Sequence, residues 1–236
     1  MSTSVLIPVL SLQCLVRIHI TTKDALEKME RSTETYLNPW FSIWTQPRAT
    51  IRQIIRTNPK QSVILLAALG GFAEALDRAS YKDAGDDFSV VMIVLMAMSL
   101  GALGGILAMY VYGWLLSWTG NWINGQGHRE EIRAAIAWAN VPVIWALLLW
   151  IPQYALIGRE MFMAEAYSLT ESTTTFVLFF GLAVIEVILG IWAFIIFLKC
   201  LGEVQGFSAW KALWNCIIPL LVVGLPFVLI IGLFTW

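Results

Sequence analysis

FSVVMIVLMAMSLGALGGILAMYVYGWLLSW, residues 88–118, contains no Asp, Glu, Lys or Arg. A helix needs about 20 apolar residues to cross the ~30 Å hydrocarbon core of a bilayer. This run is long enough to cross while tilting or projecting from the membrane. Four more apolar runs flank it, at roughly 61–76, 132–151, 175–198 and 209–234. Inside lipid only helices and closed barrels satisfy every backbone polar group, and runs this continuous lack the alternation of barrel strands. The expected fold is all-α: a polytopic membrane bundle of five transmembrane helices, preceded by a cytoplasmic interfacial helix.

Composition agrees. The chain is 58% hydrophobic and 13% charged, with a net charge of −1 and a mean hydropathy of +0.73. Globular proteins carry about 25% charged residues. Nothing here implies nucleic acid. Cys14, Cys200 and Cys216 are too scattered for a disulfide framework, and His19 and His128 have no neighbouring ligands, so no metal or cofactor is expected.

Orientation follows from the cations. Twelve of the 15 Lys and Arg fall on one side. Eight precede the first run (Arg17, Lys23, Lys28, Arg31, Arg48, Arg52, Arg56, Lys60). Arg129 and Arg133 lie between the second and third runs, and Lys199 and Lys211 between the fourth and fifth. The other side has Arg78, Lys82 and Arg159, with Asp77, Asp83, Asp86 and Asp87 making its first loop acidic. The positive-inside rule puts the N-terminus in the cytoplasm and Trp236 outside.

Residues 1–35 form an N-terminal extension. Residues 5–16 are apolar, yet the first cation, Arg17, follows them. A signal peptide has its basic region ahead of the apolar one. The extension is either interfacial or disordered, or an over-extended reading frame with Met29 as the natural start.

Residues 36–60 approach the membrane, and 61–236 make the membrane domain. Residues 38–59 read NPWFSIWTQPRATIRQIIRTNP. Trp40, Phe41, Ile43 and Trp44 cluster ahead of Pro47, which suits the first turn of a helix. Ile51, Ile54 and Ile55 then share a face beside an Arg48, Arg52, Arg56 stripe, and Pro59 ends the pattern. Such a helix fits a membrane surface, with guanidinium groups on anionic lipid headgroups; the alternative is a solvated basic face. Trp40, Trp44 and Trp210 are placed at the headgroup level, as an aromatic belt. Ser208 is the expected N-cap before Trp210.

The chain resembles the Yip1 domain family from about Tyr36 onward. The resemblance rests on NPWFSIW, PRATIR and NP in the approach segment, Gly70–Gly71, the loop Asn124–Gly125–Gln126–Gly127, and LGEVQGFSAWKAL leading to Pro219. It implies five spans, with the N-terminus inside and the C-terminus outside. Eukaryotic members resemble trafficking factors that engage prenylated small GTPases through Tyr-x-x-Asp-Leu-x-Gly-Pro. Here Tyr36 is followed by Leu37, Asn38, Pro39 and Trp40, so GTPase binding is not carried over. The Trp-Pro-Arg character is similar to the prokaryotic branch, implying the cytoplasmic (inner) membrane.

Intramembrane polar residues are the remaining candidates. Glu186 lies near the middle of its run by residue count, where a carboxyl is costly and marks a functional site by default. By depth, Ser99 and Trp145 could reach it. It serves either proton or ion coupling or an interhelical hydrogen bond. Glu74 and Arg78 form an i,i+4 pair at the outer face. Asn140 and Asn215 suit interhelical hydrogen bonds. Pro142, Pro219 and Pro226 kink their helices or line a cavity. Ala67–Gly71–Ala75 and Ala97–Gly101–Gly105 permit close approach within a bundle or between copies.

No His-Glu-x-x-His, Gly-x-Ser-x-Gly or P-loop occurs, and no enzyme is expected. The leading reading is a non-enzymatic scaffold that organises membrane lipids, further copies of itself or membrane-protein partners. The alternative is a small transporter, channel or lipid scramblase using Glu186 and the proline-broken helices.

Overall fold

The computed structural model describes residues 36–224, and every regular element among them is helical. The chain divides into two units at Leu37 and Asn38. All that follows concerns the second, which runs through the boundary that the sequence suggests near residue 60. Readings that fall on residues 1–35, Cys14 and Met29 among them, and on Pro226 lie outside the described residues.

Two short helices come first, α1 (Pro39–Thr45) and α2 (Pro47–Thr57). Each starts on a proline, where the missing N–H costs no bond. The Asn38 side chain caps α1 by accepting from Trp40 N at 3.2 Å. Then come α3 (Val63–Tyr81), α4 (Val90–Trp122), α5 (Arg129–Phe162), the five-residue α6 (Tyr167–Glu171), α7 (Thr173–Gln205) and α8 (Ala209–Pro219). Gly206, in the left-handed conformation at φ 74°, ends α7. Its N–H donates to Glu203 O, while Phe207 N donates to Gly202 O at 2.8 Å, the double return bond of a glycine C-cap. Ser208 then accepts from Lys211 N at 3.3 Å, the cap that the sequence predicts.

Among the described residues three helices, α4, α5 and α7, are long and apolar enough to cross a membrane. Helix α3 is apolar for most of its length but carries Glu74, Asp77 and Arg78 towards its end. Helix α8 is shorter, and the apolar run it begins continues beyond the described residues.

The small-residue stripes find each other within the chain. A Cβ built on Gly71 would stand 2.5 Å from the Gly105 Cα and 2.3 Å from the Gly101 carbonyl oxygen. One on Gly101 would stand 2.5 Å from the Ala75 Cβ. Helices α3 and α4 thus meet backbone to backbone, the geometry that small residues at i, i+4 allow in lipid. A π-helical turn, Ala97–Gly101, lies in α4 at this contact.

The prolines act locally. Helix α5 is interrupted at Asn140, with Pro142 in the first turn of the resumed helix. Pro219 is followed by a π-helical turn, Leu220–Gly224. A proline frees the carbonyl four residues back, and the Asn215 carbonyl has the Thr119 hydroxyl 3.5 Å away.

Candidate functional site

The positively charged end of the bundle is built first by α2. Ile51 and Ile54 are fully buried, in one cluster with Ile43, Leu66, Leu116, Trp138, Ile196 and Leu201. Helix α2 packs against α7 and α5. The sequence expects these isoleucines to face lipid, and the structure corrects this. A buried Ile is worth about 1.5–3 kcal/mol, and the chain gains it by docking α2 onto its own helices.

One member of the arginine stripe is likewise engaged. Arg52 binds Glu203 of α7, with Nη2 at 2.6 Å and Nε donating at 2.7 Å to the same carboxylate oxygen. Arg48 and Arg56 are exposed. Trp40 is half-buried, edge-on to Trp138 at 5.8 Å, and Trp44 also packs against the core. The Trp44 carbonyl accepts from Trp192 Nε1 at 3.2 Å. Of Trp40, Trp44 and Trp210, the last alone is largely exposed, at 76%.

A buried polar lock joins α4, α7 and α8. The side-chain amides of Gln205 and Asn215 donate to one acceptor, the Leu116 carbonyl, at 3.2 and 3.1 Å. The Thr119 hydroxyl reaches Asn215 Oδ1 at 2.8 Å. The Gln205 carbonyl accepts from Gln126 N at 3.1 Å, and its side-chain oxygen accepts from Gly127 N at 3.4 Å. Gly120 and Gly125 leave room for that side chain, since a Cβ on either would stand within 2.4 Å of it. The 123–128 loop is therefore fastened to the end of α7. Interhelical bonding was legible for Asn215, but Gln205 was missed because it reads as an ordinary loop polar residue.

Nearby, α3, α4 and α5 enclose a cleft of about 260 Å³. Lys60 Nζ pairs with Glu130 Oε1 at 3.3 Å, and the Arg133 guanidinium sits 4.7 Å from the Tyr110 ring centroid.

Further back along α7, Glu186 is half-buried. Gln153, itself 1% exposed, and Asp77 are its polar neighbours. The Glu186 carboxylate oxygen Oε1 is enclosed without a partner among the described residues. The expected partners are corrected. Ser99 donates to Leu95 O of its own helix at 2.8 Å, and Trp145 packs 6.3 Å from Phe41. Helix α7 runs from Thr173 to Gln205, and Glu186 lies near its middle. Its neighbours Asp77 and Gln153 stand about one turn before the ends of α3 and of the Trp150–Ile157 segment. Glu74 pairs with Arg78 at 2.9 Å, as its spacing predicts. Asn140 packs on Gly70, where an added Cβ would meet its Nδ2 at 2.7 Å. No cluster of His, Cys, Asp or Glu suited to a metal occurs among the described residues.

The Yip1 domain family model matches residues 41–231, which include both the α2 platform and the Gln205 lock. No curated protein and no solved structure matches the chain.

Proposed function

The chain belongs to the Yip1 domain family, and from that premise we propose that this multi-pass membrane protein crosses the bilayer five times and works as a non-enzymatic scaffold. In this reading α1, α2, the 123–128 loop and the α7–α8 turn form a platform at the cytoplasmic face of a prokaryotic inner membrane. The C-terminus lies outside. Helix α3, at 19 residues, is about 28 Å long, enough for a span with Glu74, Asp77 and Arg78 near its outer end. The run from Ala209 supplies the fifth.

The observation that carries the scaffold reading is the anchoring of α2. Ile51 and Ile54 are buried and Arg52 is tied to Glu203, so the platform is held to the bundle while Arg48 and Trp210 face outward. Those outward groups suit anionic headgroups or the cytoplasmic segment of a membrane-protein partner. A scaffold needs a fixed surface and no conduit.

One observation favours the alternative of a small transporter, channel or scramblase: the Glu186 carboxylate, enclosed beside Gln153 and Asp77. Reconstitution separates the two. The intact chain in liposomes is expected to leave proton, cation and lipid movement at the protein-free rate. A flux abolished by Glu186→Gln would replace the scaffold with the transporter.

A further inference from the structure

We infer that the cleft between α3, α4 and α5 is a binding site for the headgroup of one anionic phospholipid, with Lys60 and Arg133 holding the phosphate. Two cations converge there from different helices. Lys60 stands before the start of α3, and Arg133 lies in the second turn of α5. The Arg133 guanidinium is held against the Tyr110 ring at 4.7 Å while Nε donates to the Arg129 carbonyl at 3.1 Å. Stacked in this way it is pre-organised, which suits a planar donor that recognises phosphate. Val63 and Ile64, in the first turn of α3, line the cleft, so the positive end of that helix dipole adds to the field there.

The walls decide what sort of anion fits. Val63, Ile64 and Met109 line the cleft with Pro59. Ile64 is 58% exposed and Tyr110 45%, so the cleft opens onto an apolar flank. A free phosphate would leave that flank uncovered. A phospholipid places its headgroup in about 260 Å³ and runs its acyl chains down the flank.

Glu130 sets the affinity. Its carboxylate pairs with Lys60 at 3.3 Å between two solvent-accessible side chains. An exposed pair of this kind is weak, and an incoming phosphate competes with it for the ammonium. Removing the Glu130 charge should therefore strengthen binding, an outcome that a merely structural Lys60–Glu130 pair would not produce.

The test uses the full chain in a non-ionic detergent, titrated with short-chain phosphatidylglycerol and followed by native mass spectrometry. Phosphatidylcholine of the same chain length and inorganic phosphate are the comparison ligands. The expected result is at least tenfold tighter binding of phosphatidylglycerol than of phosphatidylcholine, with no displacement by a tenfold excess of inorganic phosphate. Arg133→Gln weakens binding about tenfold, and Glu130→Gln strengthens it severalfold. Equal binding of the two lipids, displacement by inorganic phosphate, or unchanged affinity in Arg133→Gln would each overturn the assignment. If Arg133→Gln fails to fold, Glu130→Gln decides: unchanged or weaker binding overturns the site. The readout does not depend on topology or on whether the protein conducts anything, so it can fail while the scaffold reading stands.

Discussion

The Gln205 side chain donates to the Leu116 carbonyl at 3.2 Å while its own oxygen accepts from Gly127 N at 3.4 Å. One nearly fully buried amide, at 1% exposure, thus ties α4, α7 and the loop after α4 together. Truncating it to Ala leaves the Gly127 N–H without this acceptor, and an unsatisfied buried group costs about 1–3 kcal/mol. Gln205→Ala is expected to lower thermal stability in detergent and to expose the 123–128 loop to protease. Wild-type protease resistance in this variant would contradict the lock.

The contact between α3 and α4 predicts a sharp difference between neighbouring glycines. Gly71→Ala puts a methyl into backbone atoms 2.3–2.5 Å away, whereas a Cβ on Gly104 meets nothing within 4 Å. Overpacking costs about 1–3 kcal/mol or more, while Gly104→Ala gains up to about 1 kcal/mol of helix propensity. Unfolding curves of the two variants should move in opposite directions.

For Arg52 and Glu203 the expected coupling is small. Their side chains are 52% and 19% exposed, and exposed ion pairs contribute about 1 kcal/mol or less. A double-mutant cycle with Arg52→Gln and Glu203→Gln should return that value at low salt and less at high salt. A coupling of several kcal/mol would mean that the pair, rather than Ile51 and Ile54, holds α2 in place.

At Glu186 the prediction rests on Gln153. Glu186→Gln keeps a polar group beside the buried Gln153 amide and should fold normally. Glu186→Leu removes it and should cost about 1–3 kcal/mol, seen as a lower melting temperature. Equal stability of the Leu and Gln variants would show that the contact is not structural.

Topology is checked by labelling intact cells with an impermeant thiol reagent, in a background whose natural cysteines are replaced. A cysteine at Asp86 should react, and one at Gln126 should not. The reverse pattern would invert the orientation.

Much of this molecule was legible without coordinates because its signals are local. The uncharged run at 88–118, the starts on Pro39 and Pro47, the Ser208 cap and the Glu74–Arg78 pair depend on residues a few positions apart. Lipid fixes the helical class because it leaves the backbone no other partner. Which faces meet was decided only by the tertiary structure. In a bilayer, lipid tails are as apolar as leucine, so hydropathy does not distinguish a lipid-facing side from a protein-facing one. For that reason Ile51 and Ile54 read as a membrane face and proved to be core. Glu186 likewise found Gln153 and Asp77 rather than Ser99 or Trp145, and Gly71 met Gly105 within the same chain.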